Sequence, residues 1–89
     1  MNKITDLIVE HTKYSKEELT GKSQKIEINN LRYFAYHYMK TVKGMSLREI
    51  AKQFNRNHPS VFNGLKKFSK LMQEDEDYKE VVNSLIIKL

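Results

Sequence analysis

The stretch Ser46-Leu47-Arg48-Glu49-Ile50-Ala51-Lys52-Gln53-Phe54-Asn55-Arg56-Asn57-His58-Pro59-Ser60-Val61 decides the fold. It opens with a capping box: the Ser46 hydroxyl can accept from the Glu49 amide while the Glu49 carboxylate reaches back to the Ser46 amide. Leu47, Ile50, Ala51 and Phe54 then share one face of a helix of about two turns. Asn55-Arg56-Asn57 breaks that period and reads as a tight turn. Pro59 suits the first position of the following helix, where its missing N–H costs nothing and its fixed φ is already helical, with Asn57 or His58 as the N-cap. Val61, Leu65, Phe68, Leu71 and Met72 continue an apolar stripe. A short amphipathic helix, a turn and a longer helix make the outline of a helix-turn-helix over residues 46–73 or so.

The flanks are helical as well. Ile4, Leu7 and Ile8 recur at helical spacing, which predicts an amphipathic helix over residues 2–13. Ser15-Lys16-Glu17-Glu18 is another capping box and predicts a short helical turn ending at Gly21 in the left-handed conformation. Residues 22–28 read as a basic loop. A helix is expected from Asn29 or Asn30, with Leu31, Phe34, Ala35, Tyr38, Met39 and Val42 as its stripe and Gly44 beyond its end. Asp77-Tyr78-Lys79-Glu80 starts the last helix, with Tyr78, Val81, Val82, Leu85 and Ile86 facing inward. The expected fold is all-α, a bundle of five or six helices in one domain spanning residues 1–89.

Composition narrows the function. The chain has 89 residues, 39% of them hydrophobic, and a formal charge of +5. The charge is concentrated. Residues 22–72 hold eleven Lys and Arg against two Glu, while both ends are mildly acidic. A basic region of this kind is the footprint of a polyanion binder. With no cysteine, disulfides and thiol chemistry are excluded. No run nears the roughly 18 apolar residues of a membrane span, and Met1–Asp6 does not look like a signal peptide, so a cytoplasmic protein without membrane partners is expected. His11, His37 and His58 are scattered without ligand spacing, which argues against metal. No nucleophile–base–acid set points to an enzyme, and no cofactor is expected. Thr20-Gly21-Lys22-Ser23 resembles the end of a P-loop but has Lys16 where the motif needs glycine. Tyr33, Phe34, Tyr36 and Tyr38 have the spacing of core and flanking positions rather than of a base-stacking platform.

Away from its apolar stripe the second helix of the pair carries Ser60, Asn63, Gly64, Lys66, Lys67 and Lys70. In a helix-turn-helix the start of this helix enters the major groove and the first helix crosses the backbone. Asn and Ser can read base edges, and Arg can grip guanine with two donors.

The runs Ser46-Leu47-Arg48-Glu49-Ile50-Ala51 and Phe54-Asn55-Arg56-Asn57-His58-Pro59-Ser60-Val61 resemble the C-terminal DNA-binding domain, domain IV, of the bacterial replication initiator DnaA. That family's signature is Ser-Leu-x-Glu-Ile-Gly, then Phe, then Arg-Asp-His-Thr-Thr-Val. The likeness extends over nearly the whole chain. It implies a Trp-repressor-like fold, sequence-specific binding of a short asymmetric box in double-stranded DNA as a monomer, a place at the nucleoid, and a role in replication initiation or its regulation. By the same resemblance Arg56, Asn57, His58 and Ser60, with Asn63, read bases. Arg32, Arg48, Lys66 and Lys67 hold phosphates, and Lys22, Gln24 and Lys25 form a minor-groove loop. Asn57 stands where the family has aspartate, Pro59 where it has threonine, and the turn is about one residue shorter. The rival expectation is a protein-interaction module or transcriptional regulator that keeps the fold but not the box specificity. It would bind a replication or regulatory protein through a tyrosine face and the acidic C-terminal end. Binding of RNA is a third.

Overall fold

The structure, a computed structural model, describes residues 3–88. Six α-helices follow in order: α1 (Lys3–His11), α2 (Lys16–Thr20), α3 (Ile26–Thr41), α4 (Leu47–Gln53), α5 (His58–Glu74) and α6 (Glu76–Ile87). Strands are absent among the described residues. The central helix α3 packs against α1, α2, α4 and α5, and α6 closes against α5 and α1.

Local chemistry explains most of the boundaries. Ser15 and Ser46 each form the full capping box with Glu18 and Glu49. Asn57 caps α5 by accepting from the Ser60 amide, so His58 is the first helical residue and Pro59 the second. Both early positions tolerate proline, because the first four helical N–H groups have no partner inside the helix. The expected helix start at residue 2 falls outside the described residues. At the other end of α1, the Thr12 hydroxyl donates to the Ile8 carbonyl at 2.7 Å and the chain turns away.

Aromatic rings join the helices into one core. Phe34 of α3 stacks on Phe68 of α5 with ring centroids 6.4 Å apart. Phe68 meets Tyr78 of α6 edge-on at 6.0 Å. Tyr36 of α3 meets Phe54, at the end of α4, edge-on at 5.1 Å. Offset and edge-on pairs add about 0.5–1.5 kcal/mol each beyond the area they bury. The Tyr78 hydroxyl donates to the Asn30 carbonyl at 2.7 Å, and burial raises its pKa.

Four boundary or face expectations are corrected. Helix α3 starts at Ile26, not Asn29, and its N-cap Lys25 makes no side-chain cap bond. Ile28 is fully buried one turn ahead of Leu31 and Arg32, so core packing extends the helix through a stretch that reads as loop. Val42 lies just past the helix as its C-cap and is 61% exposed. Gly21 is extended, with φ −87° and ψ −159°, rather than left-handed. It is needed there for space: a Cβ would lie 2.5 Å from the Glu17 carbonyl oxygen. Finally, α6 starts at Glu76 with Asp75 as its cap, and Tyr78, Val82 and Leu85 form a buried stripe so narrow that Val81 and Ile86 stay exposed.

Candidate nucleic-acid interface

Helices α4 and α5 are joined by the turn Asn55-Arg56-Asn57. Asn55 takes a positive φ of 53°, a conformation that asparagine tolerates better than most residues. The Arg56 amide closes the turn on the Ala51 carbonyl at 2.9 Å. Ahead of it, the Ser46 bonds hold the Glu49 carboxyl below its ordinary value, which keeps the cap charged and α4 firmly begun.

At the start of α5 the Asn57 Oδ1 accepts from both the Ser60 amide, at 3.1 Å, and the Ser60 hydroxyl, at 2.8 Å. The two residues are therefore locked together, and Asn57 has its amide donors left to present. His58, Pro59, Ser60, Asn63, Lys66 and Lys67 are all exposed along α5. Gly64 lets the helix sit close on Tyr33 and Tyr36. Beside it opens a polar hollow of about 310 Å³ whose wall includes Gln24 from the α2–α3 loop, Tyr33 from α3, Arg56 from the turn, and Ser60, Asn63 and Lys67 from α5. A second hollow, about 490 Å³, lies on the α4 side between Arg48, Lys52, Arg56 and His58. The fold thus gathers three of the five expected base-reading residues, Arg56, Ser60 and Asn63, and one loop residue, Gln24, around a single recess. Lys22 and Lys25 are exposed on the same loop.

Arg32 does not fit the expected phosphate role. It is 1% exposed. Its Nε donates to the Leu19 carbonyl at 2.6 Å, one terminal nitrogen to Ser23 O and Asn29 Oδ1, and the other to Glu18 O and Gly21 O. Five acceptors meet the five donors of a guanidinium, which leaves none for a phosphate. Two of the acceptors are last-turn carbonyls of α2, which have no partner inside their helix and sit at the negative end of its dipole. Burial, and then the neighbouring Arg56 charge, lower the Arg32 pKa. Arg56 is also engaged: one terminal nitrogen donates to the Gly21 carbonyl at 2.7 Å and the other to Phe54 O at 3.3 Å.

Three residues in this region escape the sequence expectations. Tyr33 and Asn29 line the recess, and Lys67 stands over the Tyr33 ring at 5.8 Å. Phe62 is 49% exposed on α5, with the Lys66 ammonium 4.5 Å from its ring centroid. A signal for Phe62 was present: it lies four residues after His58 and off the stripe of Val61, Leu65 and Phe68. No described helix is long and apolar enough to cross a membrane.

Comparison with known proteins agrees with this architecture. The family model described as the bacterial dnaA protein helix-turn-helix matches residues 1–68. The chromosomal replication initiator protein DnaA of Thermotoga sp. (strain RQ2) is 26% identical over 87 residues, covering 97% of this chain and 20% of that protein. DnaA of Pseudothermotoga lettingae is 33% identical over 69 residues, covering 78% of this chain and 16% of the relative. DnaA of Mycoplasma genitalium is 25% identical over 71 residues, with 80% and 16% covered. The chain therefore spans a fifth or less of the length of these relatives. No solved structure gives a significant match. With a helix-turn-helix at residues 47–74, an all-helical core and a family match over most of its length, the chain belongs to the bacterial DnaA helix-turn-helix family.

Proposed function

We propose that this chain acts as one DNA-binding domain that recognises a specific sequence in double-stranded DNA, in replication initiation or its regulation. The observation that carries the proposal is the polar recess shared by the α2–α3 loop and the start of α5, edged by exposed lysines. Lysine and arginine on phosphates supply affinity that falls steeply with salt. Asn57, His58, Ser60 and Asn63 supply base readout in the major groove. Lys22, Gln24 and Lys25 follow the adjacent minor groove, and Arg48, Lys66 and Lys67 hold the backbone. The chain binds as a monomer. Selection of sites from random duplex DNA, followed by a salt titration on the enriched sequence, tests this directly. A single enriched motif supports it; unenriched pools at every salt concentration would sink specific readout.

A protein-docking role is the second candidate, favoured by one observation. A hollow of about 340 Å³ is walled by Leu31, Tyr78 and Val81 and edged by Glu27, Asp75 and Asp77. Mobility shifts on duplex DNA at roughly physiological salt separate the two roles, because a docking module gives no shift.

A further inference from the structure

We infer that Arg56 is a positioning residue that latches the α2–α3 loop to the helix-turn-helix and so fixes the distance between two DNA-reading elements; this rests on the DNA-binding role proposed above. The straps are visible. Arg56 Nη2 donates to the Gly21 carbonyl at 2.7 Å, and Asn55 Nδ2 donates to the Thr20 carbonyl at 3.4 Å. From the other side Arg32 donates to the same Gly21 carbonyl at 3.1 Å. The acceptor cannot easily shift, because Gly21 already sits against the Glu17 carbonyl with no room for a Cβ. Helix α2 packs mainly on α1 and α3, and α4 on α3 and α5. The turn-to-loop bonds are therefore what ties Lys22, Gln24 and Lys25 directly to the start of α5.

Both terminal nitrogens of Arg56 already donate to main-chain carbonyls. A guanine-reading arginine instead offers two parallel donors to O6 and N7. With one donor on each terminal nitrogen committed to the main chain, the geometry assigns Arg56 to holding the reader. A loop and a helix held at a set spacing bind as one bipartite surface, with the cost of ordering the loop met before DNA arrives. The preferred DNA site then contains two blocks of base preference at a fixed separation: one read by Asn57–Ser60, the other by the loop.

The experiment has two arms. In the DNA-free chain, amide exchange is measured for wild type, Arg56→Lys and Asn55→Gly, glycine being chosen because it tolerates the positive φ. Arg56→Lys keeps the charge but loses the fork. Faster exchange, by about tenfold, at residues 20–25 with unchanged α5 amides is expected; unchanged loop exchange overturns the latch. Asn55→Gly should give the same pattern more weakly and serves if the lysine variant does not fold. In the second arm, site selection is run on wild type, Arg56→Lys, Lys22→Ala/Lys25→Ala and the combination. The lysine variant should keep the α5 block while the loop block fades or its separation varies. The loop alanines should cost several-fold less affinity in the Arg56→Lys background than in wild type. Loss of one base within the α5 block, with the loop block intact, would mean that Arg56 reads a base. Additive effects would mean that loop and turn act independently. If wild type enriches no sequence, the DNA role fails and the positioning role with it, whatever the exchange arm shows of the latch itself.

Discussion

Gly64 of α5 lies against the ring of Tyr36 so closely that a Cβ would come 2.7 Å from Tyr36 Cδ2 and 3.0 Å from Tyr33 Cδ1. Tyr36 cannot swing aside, since it is buried with its ring edge-on to Phe54. Gly64→Ala should therefore destabilise the chain although alanine is the better helix former. The gain of up to about 1 kcal/mol in helix propensity is outweighed by overpacking of about 1–3 kcal/mol. A melting temperature several degrees below wild type is expected; one at or above it would mean that α3 and α5 separate easily.

Arg32→Lys should be costly in spite of the conserved charge. Lysine offers three donors from one nitrogen and cannot meet five acceptors arrayed around a planar fork. At least two of the five buried or part-buried acceptors lose their partner, at about 1–3 kcal/mol each. Urea titration should give a loss of about 2 kcal/mol or more. A loss below about 0.5 kcal/mol would show that the Arg32 bonds do not hold the loop.

Asn57→Asp should leave α5 capped and change the base preferred. A carboxylate can accept from the Ser60 amide as the amide oxygen does. The outward group changes from donor to acceptor, so preference should move from an acceptor edge, such as guanine or thymine O4, to the cytosine N4 donor. A discrimination of about 1–3 kcal/mol at one position is expected, read by site selection with wild type and variant in parallel. An identical logo from both proteins would remove Asn57 from the set of readers.

His37 predicts a pH dependence. Its ring stacks on Phe68 with centroids 4.3 Å apart, and burial lowers its pKa below the ordinary 6.5. The unfolded chain therefore takes up a proton at a higher pH than the folded one. The resulting stability is complete above pH 6.5 and is lost as the pH falls through that value towards the folded pKa. Denaturant midpoints at pH 7.5 and 5.5 should differ less in His37→Phe than in wild type. An equal difference in both would assign the effect to other groups.

Lys67→Ala should weaken binding to all duplex sequences alike and flatten the plot of log affinity against log salt by about one unit. A change of base preference without a change of slope would move Lys67 from backbone to base contact.

Much of the fold is local and could be read from the sequence. Ser46 with Glu49 and Ser15 with Glu18 need only residues three apart, and both boxes form as expected. Long-range terms decide the rest. Arg32 shares the buried line of Ile28, Ala35 and Met39, so its spacing marks a core position, whereas its charge suggests the surface. Carbonyls 9–14 residues away resolve the conflict, and a periodicity cannot reveal them. The recess is legible in part. Ser60 and Asn63 stand out by lying off the apolar stripe, while Tyr33 and Asn29 come to it only because Gly64 brings α5 close to α3.

The acidic junction between α5 and α6 lies at the far end of α5 from His58, about 24 Å away at the helical rise per residue. With the basic excess concentrated in residues 22–72, the molecule carries a permanent charge dipole that points away from this junction. In the field of a polyanion that dipole experiences a torque before any contact is made. It turns Glu74–Asp77 away from the polyanion, so that a tumbling molecule is already oriented when it arrives.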